Sequence, residues 1–326
     1  MRRSLHSVAA LLFAACTGEQ SVLAPRGPEA AVVSGLAVVL FAGGALIMLL
    51  VLALTVYAIA APATRRRWLA GERVIVGGGI ALPIGVLTGL LWYELVLTHS
   101  LRDSDQPPAV VIDVIGEQWW WRVHYPAAGD GAAFATANEI WLPAGVPVDL
   151  RLATADVIHS FWVPQLAGKL DMIPGRINRL RLRADVPGVY RGQCAEYCGG
   201  PHALMAFHVV VVSEPEFAAW RERQRAAAPP PADPFRARGR ELFLAGGCGA
   251  CHTVAGTAAD GVIGPDLTHV GGRRQLAAGV LPNHTGTMAG WIAGSQRVKP
   301  GNRMPSFAVF QGVELRAMAS WLASLE

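Results

Sequence analysis

Between Ala30 and Ala61 the chain runs for 32 residues without a charged side chain. A helix needs about 20 apolar residues to cross the ~30 Å hydrocarbon layer of a bilayer, so this stretch is long enough to span it. A second uncharged run, Val74 to Tyr93, has 20 residues. The plain alternative is a helical hairpin in the core of a large soluble protein, and the length of the first run argues against it. Arg65, Arg66, Arg67 and Arg73 lie between the runs. Arginine resists translocation, so this loop is expected in the cytoplasm and both ends of the hairpin outside. Everything after about Thr98 is then exported. Pro83 and Gly77 to Gly79 would break a soluble helix, but a bilayer forces the backbone to bond internally and tolerates them.

Composition agrees. Hydrophobic residues make up 52% of the 326, charged residues only 16%, and mean hydropathy is +0.34. That excludes intrinsic disorder and argues against a wholly soluble protein. The 26 arginines and two lysines against 24 acids leave a net charge of +4, too balanced to point to nucleic acid, and no nucleic-acid partner is expected. The first residues, 1–16, read as an export leader: Arg2 and Arg3, an apolar stretch from Val8 to Ala15, then Cys16. Ala14, Ala15 and Cys16 resemble a bacterial lipoprotein cleavage site, from which Phe13 departs. An ordinary leader with an incidental cysteine is the other reading.

Leu101 to Pro108 is a polar linker ending in two prolines. From Ala109 to Val212 short runs alternate with period two, as at Val110 to Ile115, Val148 to Leu152, Ile177 to Leu182 and Phe207 to Val212. Pro-Gly turn signals separate them, which predicts an antiparallel sandwich or barrel of about 100 residues. A proline-rich segment up to Pro234 reads as a stiff spacer. Helix signals then return, opening at Asp233-Pro234 and ending in an amphipathic helix from Gly312 to Glu326. The expected plan is a leader at 1–16 and a hairpin at 30–97, with spans 30–61 and 74–97 around a loop at 62–73. A sandwich at 108–215, a linker at 216–234 and a small helical domain at 235–326 follow.

Two clusters carry chemistry. Cys194, Cys198, His202 and Met205 fall four, four and three residues apart. Thiolate, imidazole and thioether together suit copper better than a hard cation. Two cysteines on one loop can bridge two copper ions, each needing its own nitrogen ligand; His202 supplies one and His159 is the best candidate for the other. A structural disulfide and a zinc site of two cysteines and two histidines are the competing readings. Further on, Cys248, Cys251 and His252 form CxxCH, the spacing at which two thiols add to haem vinyl groups while the histidine coordinates iron. A redox CxxC pair gives the same bare pattern. A methionine, Met304, follows in an Asn-Arg-Met-Pro segment, and Met288 and Met318 are thioethers read as packing.

The stretch from Asp156 to Met205 resembles the CuA domain of cytochrome c oxidase subunit II, and the two-span hairpin fits that subunit. The likeness covers about Ala30 to Trp220. Gly264 to Leu267, Trp291-Ile292 and Lys299 to Gly301 resemble a class I cytochrome c. The whole order is similar to subunit II of caa3-type haem-copper oxidases. The resemblance implies a cupredoxin-like Greek-key sandwich and an all-α cytochrome c domain. It implies a binuclear copper A centre held by His159, Cys194, Glu196 through its carbonyl, Cys198, His202 and Met205, and a haem c on Cys248, Cys251, His252 and Met304. In Gly116 to Trp121 it assigns Trp119 to electron input, where strand packing is the plain alternative. Trp120 stands where the family has tyrosine or phenylalanine. Glu72 would lie near the mouth of a proton channel, or merely start a helix. Glu94, Asp171 and Arg176 read as structural or solvated.

By that likeness, electrons from a donor cytochrome c or a cytochrome bc-type complex reach the haem, pass to copper and leave for subunit I. There O2 would be reduced with proton translocation, and subunit III would complete the complex. The expected location is the bacterial inner membrane, with the N-terminus and both exported domains in the periplasm. Two alternatives remain: the electron-input subunit of a CuA-type nitric oxide reductase, and a stand-alone membrane-anchored carrier.

Overall fold

The computed structural model describes residues 18–102, 108–129 and 131–326. The leader with Cys16, and most of the linker expected at 101–108, lie outside them.

Residues Ala31–Gln106 form one compact unit. Two helical stretches in the chain are long and apolar enough to cross a membrane, Pro28–Ala60 (α1) and Glu72–His99, and neither buries its apolar residues in protein. Side chains such as Phe41, Leu46 and Trp92 face outward, as lipid-facing residues must. Arg66 donates from Nη1 to the Ala58 carbonyl at 2.8 Å, and the Tyr57 hydroxyl donates to the Arg65 carbonyl at 3.0 Å. The arginine loop is thereby folded back on the end of α1. The second stretch widens into a π-turn at Gly77–Ala81 before continuing as α2 (Leu82–Arg102). Pro83 has no N–H to give to the preceding turn, and such a widening is how a helix absorbs one.

The other unit joins Met1–Ala30 to Pro107–Glu326. Its sandwich has two five-stranded sheets. One is ordered β3 (Phe134–Ala137), β2 (Trp120–Tyr125), β1 (Val110–Glu117), β5 (Val148–Thr154), β8 (Asn178–Leu182). The facing sheet is ordered β4 (Glu139–Pro143), β10 (Ala206–Val212), β9 (Gly188–Cys194), β6 (His159–Trp162), β7 (Leu170–Met172). This is the cupredoxin-like Greek-key fold. It corrects one expectation, because the sheets are mixed: β1 pairs with β5 in parallel, and β10 with β4. The chain crosses to the second sheet at β4 and returns, so β5 settles beside β1 pointing the same way. Period two survives in β2, where Trp121, Val123 and Tyr125 are buried and their neighbours are not. Strand β10 is apolar almost throughout, because Phe207, Val209 and Val211 fill the sandwich core while Ala206 bonds across to the Ala278 carbonyl at 3.0 Å.

The segment before α1 belongs to the sandwich: Arg26 donates its N–H to Gln165 and accepts from Asp185, at 2.7 and 3.0 Å. Asp149 is buried between strands and bonds Arg181 at 2.7 Å and Arg179. Burial opposes ionisation there, but the two guanidiniums outweigh it and hold the carboxyl below its ordinary range.

Where a spacer was expected at 216–234, the chain first makes helix α3 (Glu214–Arg225). A capping box of Ser213 and Glu216 starts it, and Phe217 and Trp220 lie in the sandwich core, Trp220 stacked on Trp141 at 5.0 Å. The rest is pinned as well. Arg225 donates to Ala132 in the sandwich at 3.1 Å, and Ala228 donates to Ala255 in the C-terminal domain at 2.9 Å.

That domain is helical. Helix α4 (Pro234–Ala245) starts with Asp233 capping the Arg236 N–H at 2.8 Å and Pro234 in the first turn. It crosses the last helix, α6 (Gly312–Ala323), so closely that a Cβ on Gly239 would collide with the Ala317 carbonyl. Phe243 and Trp321 pack beside the crossing, 5.1 Å between ring centroids. Helix α5 (Thr285–Val298) completes the core.

Gly239→Ala is expected to destabilise this domain by about 3 kcal/mol, the cost of forcing a packed crossing apart. Gly290→Ala, on an open face of α5, is expected to stabilise it by up to about 1 kcal/mol. Denaturant unfolding of the two variants checks the contrast. For Asp149, a folded pKa below the unfolded one means stabilisation that is present above about pH 4 and lost as pH falls further. Asp149→Asn should therefore lower stability at neutral pH and flatten the acid limb of a stability–pH curve.

Candidate metal centre and haem cavity

Strand β9 ends at Cys194, and the loop that follows returns through a short turn at His202–Leu204 to start β10. Hairpin geometry thus folds Cys194, Glu196, Cys198, His202 and Met205 around one point. From β6 comes His159, which has no exposed surface. It has room because β1 carries Gly116 there, where any Cβ would run into the imidazole at 2.8 Å.

The donor atoms converge. The sulfurs of Cys194 and Cys198 are free and 3.8 Å apart. Nδ1 of His159 lies 3.8 Å from the Cys194 sulfur, and Nδ1 of His202 lies 3.4 Å from the Cys198 sulfur. The Met205 sulfur is 3.9 Å from Cys198, and the Glu196 carbonyl oxygen is 3.2 Å from Cys194. All six expected donors are therefore brought together, two thiols in the middle and one imidazole at each end. The thiols give up their first proton readily: the Cys198 thiol donates to Cys194, and His159 faces the same sulfur. The negative charge on Cys194, with burial, pushes the second thiol up. A cation that replaces that proton lets both sulfurs ionise.

Asp156, three residues before His159, orients this ligand. Its Oδ1 lies 2.9 Å from His159 Nε2, while Oδ2 accepts the Gln118 N–H at 2.8 Å. Burial works against its charge, yet these bonds hold the carboxyl below its ordinary range. Burial likewise opposes a proton on His159, but Cys194 and Asp156 outweigh it and raise the imidazole. Nδ1 is thus turned to the sulfurs with Nε2 already committed.

The carbonyl of Cys198 receives two donors from the β1–β2 turn, Gln118 Nε2 at 2.8 Å and Trp119 Nε1 at 2.9 Å. The three tryptophans part company here. Trp121 fills the sandwich core, 6.3 Å from the His159 ring between centroids. Trp120 lies against the Arg122 guanidinium at 4.7 Å. Trp119 stays half-buried and borders an apolar cavity in the C-terminal domain.

That cavity is lined by Cys248, Cys251, His252 and Met304. The CxxCH segment begins in a short turn after α4, reached through Gly247 at φ +76°, a left-handed position that suits glycine. Both thiols are free. His252 Nδ1 lies 2.7 Å from the Pro265 carbonyl, so that nitrogen donates and Nε2 is left as a lone pair. Burial holds this imidazole below its ordinary value, in the neutral form that iron requires. Met304 is fixed through its backbone, its N–H on Asn302 at 2.8 Å and its carbonyl on Ser295 at 2.7 Å and Gln296 at 2.8 Å. Met288 and Met318 also border the cavity, but both are buried in the helical core.

The remaining expected residues lie elsewhere. Glu72 opens the second spanning stretch after Gly71, and Glu94 lies within α2. Asp171 is 3.7 Å from Lys169. Sequence reasoning missed two residues that matter. Asp156 carried a readable signal, a carboxylate one helical-turn distance before a candidate ligand. Lys299 carried another, as one of only two lysines among 28 cationic side chains; its ammonium is buried against the Trp119, Leu204 and Ala277 carbonyls, and burial pulls it down to about 7, the nearby Cys198 working the other way.

Asp156→Asn keeps the shape but cannot hold His159 in the same way. It is expected to weaken copper binding by about 10- to 100-fold. Competition with a copper chelator measures this; unchanged affinity would remove Asp156 from the site.

The geometry agrees with the comparisons to known proteins. The family model "Cytochrome C oxidase subunit II, periplasmic domain" matches residues 127–213, and the model "Cytochrome c" matches 236–326. The chain is 34% identical to cytochrome c oxidase subunit 2 of Alkalihalophilus pseudofirmus, over 97% of this chain and 94% of the relative. The same protein of Bacillus sp. (strain PS3) is 30% identical over 76% of this chain and 71% of its own length. Among solved structures, the periplasmic domain of cytochrome oxidase subunit II from Bradyrhizobium japonicum aligns at 33% identity, over 36% of this chain and 95% of that one, with a TM-score of 0.34. With 97% of its length matched to a relative of 34% identity, this chain belongs to the cytochrome c oxidase subunit 2 family, as an oxidase subunit with a cytochrome c domain at its C-terminal end.

Proposed function

We propose that this subunit conducts electrons from an external donor, through a haem c of its own and a binuclear copper A centre, to subunit I of a caa3-type oxidase. Bound at the two sites, the metals would supply one-electron carriers. The observation that carries the reading is the convergence of six donor atoms, two of them free buried thiols, next to a cavity lined by a CxxCH segment.

The residues divide the work. Cys194 and Cys198 would bridge, His159 and His202 would cap the two ends, and Met205 and the Glu196 carbonyl would complete the set. Soft sulfur and imidazole donors favour copper, and the free thioether of Met205 argues against zinc. In the cavity, Cys248 and Cys251 would hold haem covalently while His252 and Met304 ligate iron, a pairing that raises its potential. Trp119 is the bridging side chain. Its indole bonds the Cys198 carbonyl and it borders the haem cavity, so it receives electrons from the chain's own cytochrome domain. An outside donor, a cytochrome c or a bc-type complex, then meets the cytochrome domain.

The two apolar helices anchor the subunit in a membrane. The arginines between the two spans, which resist translocation, are read as a cytoplasmic loop, with the metal domains in the periplasm of a bacterial inner membrane. Oxygen reduction and proton translocation belong to subunit I, with Glu72 at the cytoplasmic end of the second span as a contributor to proton uptake. Subunit III and lipid complete the surroundings.

Metal analysis of the purified chain is expected to give about two copper ions and one c-type haem. Cys198→Ser should abolish binuclear copper and leave the haem spectrum unchanged; Cys251→Ser should do the reverse. Zinc in place of copper, or a Cys194–Cys198 disulfide after copper reconstitution, would contradict the proposal.

A further inference from the structure

Lys299 is 2% exposed, yet it pairs with no carboxylate within ion-pair distance among the described residues. Its ammonium donates instead to three carbonyl oxygens: Trp119 at 2.5 Å, Leu204 at 2.8 Å and Ala277 at 3.1 Å. Trp119 and Leu204 belong to the sandwich, one beside the copper loop and the other within it. Ala277 belongs to the cytochrome domain, as does Lys299. An ammonium has three N–H donors, and here each meets one acceptor.

The cytochrome side is shaped to this purpose. Ala277 and Ala278 have φ of +54° and +61°, and Gly279 follows at +81°. Two successive alanines in the left-handed region are held there only by what surrounds them. Their carbonyls point across the seam, Ala277 to Lys299 and Ala278 to the Ala206 N–H at 3.0 Å. The surrounding contacts continue the seam: Arg122 Nη2 donates to Val262 at 2.8 Å, Arg303 lies 3.6 Å from Asp156, and the Glu139 carboxylate accepts the Arg274 N–H.

We infer that Lys299 is a positioning residue: it locks the cytochrome domain onto the sandwich in one pose and so fixes the gap between the haem cavity and the copper donors. Electron tunnelling falls exponentially with distance, so a fixed gap gives one rate, where a loosely tethered domain gives a spread. Arginine is not an equivalent, because its planar fork cannot address three carbonyls set around a point. The consequence for electron flow rests on the copper-and-haem reading; the lock itself does not.

The lock is therefore read on the full chain in two ways that do not use electron transfer. Lys299→Met keeps the aliphatic stem and removes the donors. Hydrogen exchange of the Ala206 amide should accelerate about 10-fold or more, while amides within α4 stay as they were. Lys299→Arg should not restore protection. Unchanged exchange at Ala206 in Lys299→Met would overturn the inference. Should that variant not fold, the unaltered chain decides, because it has only one other lysine, Lys169, whose side chain is 51% exposed. An amine-acylating reagent, followed by mass spectrometry, should modify Lys169 about 100-fold faster than Lys299 in the native chain. Similar rates would mean an open seam and would overturn it equally. With both metals bound, haem-to-copper transfer should be a single exponential in the unaltered chain and multiphasic in Lys299→Met. Absence of copper or haem would sink the electron-transfer reading and leave the exchange and labelling results to judge the lock.

Discussion

Two thiols held 3.8 Å apart in a buried loop, free and not joined to each other, are the constraint around which this subunit is arranged. Neither sulfur can carry its charge there without help, and two charges so close repel. The protein answers with His159 beside one sulfur and His202 beside the other, a donor set whose soft sulfurs suit copper. The surrounding structure serves that loop. Gly116 clears space for His159, Asp156 sets its orientation, and Gln118 and Trp119 hold the Cys198 carbonyl. A donor set fixed on all sides would rearrange little were a metal held there to gain or lose an electron.

The same turn that steadies the thiol loop also meets the cytochrome domain. Trp119 gives its indole N–H to Cys198 and its carbonyl to Lys299. Asp156 stands 2.9 Å from the His159 ring and 3.6 Å from Arg303, the neighbour of Met304. Each proposed metal site is thus supported in part by residues that the other domain touches. A helix packed on the sandwich and a spacer bonded at both ends make the cytochrome domain a fixed part of the unit, where a proline-rich segment alone suggested a tether.

Much of this was legible in the residues. The uncharged runs, the arginine loop, the copper spacing and CxxCH are local patterns, and local chemistry determines them. The parallel pairing of β1 with β5 was not, because alternation tells which face is buried and nothing about which strand lies alongside. The helix at Glu214–Arg225 had its signals, Ser213 with Glu216 and then Phe217 with Trp220, beside prolines that by themselves signal an extended spacer. Asp156 stands three residues before His159, and its second bond, to the Gln118 N–H, forms only when β1 and β6 are brought together. Lys299 could be noticed for its rarity, but its three acceptors come from segments up to 180 residues away.

The central claim is that the loop holds two coppers as one centre. Electron paramagnetic resonance of the copper-loaded chain tests it most directly. The account predicts hyperfine structure from one unpaired electron shared equally by two copper nuclei, lost in Cys198→Ser. A spectrum from a single copper nucleus, unchanged by that substitution, would contradict it.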